Sequence, residues 1–420
     1  MFDKIKNSLK GKKVAILCDE STDTNQRYFL QVLCKDLSFN KHSPVLLDTV
    51  YLEEVNFRTV SQAVIKTLNK YDINFDNVFS FVSDNASYMF KSYNNVLINL
   101  LPNSHHTTCV AHIIALIADT WRISLKKLDK LVGLIKFIFS KSPARRIRYK
   151  VFLQELNVEK ANLPPEPVIT RWNTWFTAIQ YHVENWDHLC KFINSEISLY
   201  PETESLSEAL EILKDLRVKN EYQGNNFLAT ELYNDLNKLH CWHLANFETF
   251  KNDSSRLTLF QKSHEKLKKY LFDGAMPSMK LFKEARFLDP EQFKNLDQNF
   301  DNYARSIPNL KNCRTEWLLY LDILKETSFE NSFNIIEFWL TNRKKIPSLF
   351  GIAEWLLFYP TNSADCERSI SIYNKILTDD RNRLTKESIV NLNFIVFNNQ
   401  KIQNVSLEKE DVLIENEIIA

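Results

Sequence analysis

Two aspartates, Asp19 and Asp84, each close an apolar run, Val14-Ala-Ile-Leu-Cys-Asp19 and Asn77-Val-Phe-Ser-Phe-Val-Ser-Asp84. Laid side by side as parallel strands, these runs would bring both carboxylates to one edge of a sheet. Adjacent carboxylates repel, and such a pair persists only where a cation or a proton compensates it. Closely set oxygen donors suit Mg²⁺, which keeps several waters and takes one or two carboxylates plus substrate phosphate. Two-metal phosphoryl transfer uses such acids to activate the attacking oxygen and stabilise the leaving one. Aspartates also end strands because they cap the next turn, so the pair needs a third acid before chemistry becomes the better reading.

Two further clusters invite chemical readings. His105, His106, Cys109 and His112 suggest zinc, but a closed structural site wants four ligands at characteristic spacing and no second pair follows. They read instead as a packing element that joins a strand to a helix, and no zinc is expected. Lys141-Ser-Pro-Ala-Arg145-Arg146-Ile-Arg148-Tyr-Lys150 gathers five positive charges in ten residues. On a helix, Arg145, Arg148 and part of Lys141 would form either a ridge for DNA phosphates or a solvated face, and Arg146 is counted with the DNA-binding candidates.

The elements that must position the aspartates are legible from apolar patterning. Residues 14–19, 28–34 and 44–51 are β-rich runs separated by polar turns, and read as an antiparallel meander. Val60, Val64, Ile65 and Leu68 then lie on one helical stripe, and the run ending at Asp84 follows as a strand parallel to the first. This is a mixed sheet in an α/β core. Beyond about residue 110 the pattern is almost wholly helical, with Leu128, Leu131, Val132, Ile135 and Ile138 at helical spacing and a break at Pro164-Pro165-Glu-Pro167.

Composition agrees and narrows the function classes. The chain has 420 residues but only 5 glycines, where average usage would give about thirty. A Gly-rich phosphate cradle is therefore hard to build, and no G-x-G-x-x-G or Walker-type pattern appears. The 53 basic and 52 acidic residues leave a net charge of +1, so any nucleic-acid surface must be local. No apolar run is long enough to cross a bilayer, and no membrane partner is expected. The 7 scattered cysteines lack any C-x-x-C and point to a reducing compartment.

The third acid comes from a family resemblance. Thr361-Asn-Ser-Ala-Asp-Cys-Glu367-Arg368-Ser-Ile-Ser371, Asp380-Arg381-Asn382-Arg383-Leu384 and Asn391-Leu-Asn-Phe-Ile-Val-Phe397 resemble the C-terminal signature of hAT-superfamily transposases. In family order, Leu17-Cys-Asp19-Glu-Ser-Thr-Asp23, Phe81-Val-Ser-Asp84-Asn85-Ala86-Ser87-Tyr-Met89, Cys109-Val-Ala-His112, Thr170-Arg171-Trp172-Asn173 and Ala285-Arg-Phe-Leu288-Asp289-Pro290 resemble further family segments. Ile370 departs from the family's usual phenylalanine, a change of packing rather than of chemistry.

The resemblance implies an RNase H-like mixed-sheet core interrupted by a large all-helical insertion. The expected divisions are 1–165 for the first part of the core, 166–325 for the insertion, 326–400 for the rest of the core with the dimerisation region, and 401–420 for an acidic tail. Asp19, Asp84 and Glu367 would be the catalytic, metal-binding acids, using Mg²⁺ or Mn²⁺ to cut DNA and transfer strands in the nucleus. Arg171 and Trp172 would contact DNA beside the site, the indole stacking on an unpaired base, although a buried anchoring role fits Trp172 equally. Phe338, Trp339, Trp355 and Leu356 would belong to the face of a homodimer or higher oligomer. Family members usually carry a BED zinc finger before the core, and none is expected within the first 13 residues. A catalytically silent, domesticated or truncated copy, acting as a dimerising DNA- or protein-interaction module, is the alternative.

Overall fold

The computed structural model describes residues 1–39, 43–158, 161–167, 174–215, 229–329, 333–377 and 384–399. Among them, five strands form one sheet: β1 (Val14–Thr22), β2 (Tyr28–Asp36), β3 (Val45–Leu52), β4 (Val78–Ser83) and β5 (His105–Thr108), in the order β3-β2-β1-β4-β5. β2 runs antiparallel to both β1 and β3, while β1, β4 and β5 are parallel. The expected meander, helix and parallel strand are all present, and the protein is α/β with a mixed sheet. β5 is the added strand. Its His-His-Thr-Thr sequence has no apolar alternation, and pairing with β4 alone supports it.

β1 lies at the centre and is covered on both faces, which is why it reads as a continuous apolar run rather than an alternating one. Val14, Ile16, Cys18, Leu30 and Val32 on one face pack with Val60, Val64 and Leu68 of the Phe57–Lys70 helix. That helix starts on a capping box, in which the Asn56 side chain accepts the Arg58 and Thr59 amides. Ile5 and Leu9 of the Phe2–Leu9 helix join the same core, and Gly11, at φ +69°, makes the turn into β1. On the opposite face, Phe29 of β2 packs with Ile370, Tyr373 and Ile376 of the Ala364–Ile376 helix, and with Ile389 of a helix spanning 386–399.

The chain divides into two compact units. One holds the sheet and comprises Met1–Ile113, Phe227–His240 and the chain from Lys269 onward. The other comprises Ile114–Asn226 and Cys241–Lys268. In this second unit the Lys126–Ser140, Pro143–Glu155, Trp186–Leu199 and Glu204–Asp215 helices share a core that includes Leu131, Ile135, Leu153, Leu189 and Leu206. The proline-rich stretch 161–167 is non-helical, as its composition implies.

Candidate active site

Asp19 is buried in β1, with only 5% of its surface exposed. Leu17 pairs with Val82 in the parallel β1–β4 ladder, and continuing that register two residues sets Asp84 level with Asp19. The charge of Asp84 acts on Asp19 across this edge of the sheet. Asp84 follows the last residue of β4, and its Oδ1 accepts the Ala86 amide at 3.2 Å. Glu367 arrives from the far end of the chain, in the first turn of the Ala364–Ile376 helix. Tyr373 anchors that helix over β1 and β2. Its ring stacks on Phe29 at 4.1 Å between centroids, and its hydroxyl donates to Asp23 Oδ2 at 3.0 Å.

These three segments converge electrostatically. Burial pushes the Asp19 carboxyl well above the usual carboxylate range, and the charges of Glu367 and then Asp84 push it further. Glu367 approaches within hydrogen-bonding reach of Asp19. Two ionised carboxylates offer only acceptors, so their approach becomes attractive only with a proton or a cation between them. Asp19 Oδ2 is buried and accepts no hydrogen bond among the described residues. Burial likewise raises Asp84, against the Ala86 amide and the nearby His112.

Three further residues belong to this neighbourhood. Glu20 is raised by burial and by the charge of Asp84, against a hydrogen bond from the Tyr88 hydroxyl at 3.1 Å. Neither Glu20 nor Tyr88 stands out in the sequence, although both fall within the family-like segments around Asp19 and Asp84. His112 is lowered by burial, and the charge of Asp84 opposes that shift. His106 instead pairs with Ser83 Oγ at 2.9 Å, and the Cys109 sulfur accepts the Ser363 amide. The His-Cys cluster is therefore part of the strand-to-helix connection beside the acids.

Among the described residues, no group of three or more His, Cys, Asp and Glu side chains is set to close round a metal ion. The site offers carboxylates that act on one another, one of them with a buried oxygen awaiting a partner. Oxygen-only donors of this kind match a hard divalent cation in chemistry. Asp19, Asp84 and Glu367 are the side chains that would hold it.

The expected DNA ridge takes a different form. Arg145 is buried, and its Nε and Nη1 donate to Glu196 Oε2 at 2.8 Å and the Ile138 carbonyl at 3.0 Å. Arg148 grips the same carboxylate with two bonds of 2.7 Å. Burial alone would raise Glu196, but hydrogen bonds from Arg148 and Arg145 outweigh it and hold the carboxyl low. Arg146 donates to the Phe139 carbonyl and to Glu166. Arg145 is thus an internal brace of the helical unit, because Glu196, remote in sequence, folds back onto it. Arg171, Trp172 and the stretch Asp380-Arg381-Asn382-Arg383 lie outside the described residues.

Phe338, Trp339, Trp355 and Leu356 are buried within the chain itself and form no exposed face. Trp339 Nε1 donates to the Leu288 carbonyl at 2.8 Å, and Tyr320 donates to the neighbouring Phe287 carbonyl at 2.7 Å. The Trp355 ring lies 4.9 Å from Phe79 of β4. Aromatic periodicity marked burial correctly, but the partner is this chain's own core. Leu318, Leu319 and Leu340 are the exposed large apolar residues of the neighbouring helices Arg314–Glu326 and Ile335–Asn342.

Residues 316–399 match the model of the hAT family C-terminal dimerisation region. The match contains Glu367, and it ties this part of the chain to hAT transposase-like proteins, as the C-terminal motifs indicated. No curated protein matches the chain.

Proposed function

We propose that this protein, which carries the hAT dimerisation region, is a hAT-type transposase or a derivative of one that cleaves DNA and transfers strands in the nucleus. Its sheet, in the order β3-β2-β1-β4-β5 with β2 alone reversed against its neighbours, is read as an RNase H-like core. The observation that carries the proposal is the mutual influence of Asp19, Glu367 and Asp84, drawn together from three remote segments. Structural acids are normally paired with cations, whereas this buried cluster is acid against acid.

Bound by these acids, Mg²⁺ or Mn²⁺ would supply positive charge to the attacking and leaving oxygens of phosphoryl transfer. The chain's own groups prepare the place. Asp19 presents a buried acceptor, and the Ala86 amide orients Asp84. Tyr88 fixes Glu20, and burial keeps His112 neutral at physiological pH beside Asp84. Arg171 and Trp172 remain the residues proposed to hold DNA.

The test mixes purified protein with branched or pre-nicked DNA and Mg²⁺ or Mn²⁺, beside Asp84→Ala. Cleavage that Asp84→Ala abolishes supports the reading; equal cleavage by both proteins sinks it. The second reading, a silent dimerising module, is favoured by the family match lying in the dimerisation region alone. It is supported by a stable dimer that leaves every DNA substrate intact.

A further inference from the structure

One lateral row across the antiparallel strands is polar. Asp19 of β1 stands opposite Gln31 of β2, and Gln31 stands opposite Thr49 of β3. Directly opposed residues of antiparallel strands project to the same face, so the row runs from the acid toward the sheet edge beneath the Ala364–Ile376 helix. Gln31 and Thr49 are buried, as are Ser369 of that helix and Asn393 of the 386–399 helix. The four are joined. Gln31 Oε1 accepts from Thr49 Oγ1 at 3.0 Å and from Ser369 Oγ at 3.2 Å. Asn393 Nδ2 reaches Thr49 Oγ1 at 3.3 Å and Ser369 Oγ at 3.4 Å.

We infer that Gln31, Thr49, Ser369 and Asn393 form a lock that sets the rotation of the Ala364–Ile376 helix and thereby aims Glu367 at Asp19. The inference rests on the proposed role of the acids. Cys366, Ile370 and Tyr373 make the buried apolar stripe of the helix. Each residue turns a helix by about 100°, so Glu367 and Ser369 flank this stripe on opposite sides. Apolar packing tolerates a small roll of the helix; directional hydrogen bonds do not. A roll that carried Glu367 away from Asp19 would strip Ser369 from Gln31 and Asn393, leaving buried polar atoms unpaired.

The lock is not there for stability. Among the described residues, Gln31 Nε2 and Asn393 Oδ1 are buried without partners, an arrangement that a well-packed apolar set would improve upon. Gln31, Thr49, Ser369 and Asn393 are positioning residues, acting through Glu367.

The experiment compares wild type with Gln31→Met, Ser369→Ala, Ser369→Thr and Asp84→Ala in melting temperature, Mn²⁺ binding by electron paramagnetic resonance, and DNA cleavage. Gln31→Met and Ser369→Ala are expected to stay folded, melting only modestly below wild type for the buried bonds they lose, to bind Mn²⁺ more weakly, and to lose about 10–100-fold in kcat at unchanged KM, the scale of a misplaced reacting group. Ser369→Thr, which keeps the hydroxyl, restores both. Wild-type kcat and Mn²⁺ affinity in Gln31→Met and Ser369→Ala, while Asp84→Ala is inactive, overturns the lock and leaves the proposed function standing. If wild type neither cleaves nor binds Mn²⁺, the lock falls with that function. If Gln31→Met or Ser369→Ala fails to fold, the network is structural and the inference is overturned.

Discussion

The backbone amide of Ser363 donates to the sulfur of Cys109 at 3.3 Å, across a sequence separation of 254 residues. Beside it, the Val110 amide donates to the Thr361 carbonyl at 3.0 Å, and the Cys109 amide donates to the Ser83 carbonyl at 2.8 Å. One cysteine therefore fastens the end of the strand before Asp84, the helix that carries His112, and the residue that precedes the helix of Glu367. The Cys-x-x-His element is a clasp between segments that each bring a group to the site.

Cys109→Val removes the acceptor at nearly constant volume and leaves the buried Ser363 amide without its partner. A loss of about 1–3 kcal/mol is expected, read as a lower denaturant midpoint. Cys109→Ser, which retains an acceptor, should lose less; equal losses would refute the clasp.

Asp19→Asn removes one of the mutually repelling charges. Without divalent cations it should raise the melting temperature, by about 2–4 °C for each kcal/mol relieved. Mg²⁺ or Mn²⁺ should raise the melting temperature of wild type and leave that of Asp19→Asn nearly unchanged. Equal shifts in both proteins would place any bound cation elsewhere.

Glu196→Ala leaves two guanidinium groups facing an empty buried position, and removing one partner of such a set costs about 3–5 kcal/mol. The helical unit should unfold at lower denaturant. A double-mutant cycle with Arg145→Met should recover part of the loss, and strict additivity would argue against coupling.

Within the dimerisation region, Leu318→Asp with Leu340→Asp should shift sedimentation toward monomer while the melt of the monomer is preserved. Trp339→Ala should act differently, destabilising the fold by about 3–5 kcal/mol through its cavity. A dimer unaffected by the paired leucine changes would place the interface on another face.

His182 is buried, neither ring nitrogen has a hydrogen-bond partner among the described residues, and burial lowers its pKa from 6.5 to about 4. The unfolded chain therefore binds the proton first. Stability from this group is complete above about pH 6.5 and falls as pH drops toward 4, by roughly 3 kcal/mol over the interval. Denaturant titrations of His182→Leu between pH 7 and pH 4.5 should show a shallower decline than wild type; parallel curves would count against it.

How far the sequence foretold this structure depended on how local each signal was. β1 and β4 were legible because buried strands are continuous apolar runs that end sharply at Asp19 and Asp84. β5 was not, because a ladder to one neighbour rather than side-chain pattern holds its four residues. Trp339 and Trp355 were legible as buried, but periodicity does not say against what; the Leu288 carbonyl and Phe79 supply the answer. The internal partner of Arg145 is illegible for the same reason, since Glu196 lies 51 residues away. No spacing rule joins Asp19 to Glu367, and only the family-like motifs suggested that they meet.

All five strands are in place by Thr108, yet the helix that covers Phe29 and Gln31 begins only at Ala364. During synthesis at about 5–20 residues per second, the ribosome would need on the order of ten seconds or more to deliver that cover. A nascent sheet would wait through that interval with the Phe29 flank uncovered. The same delay keeps Glu367 from Asp19 and Asp84 until the last part of the chain has been made.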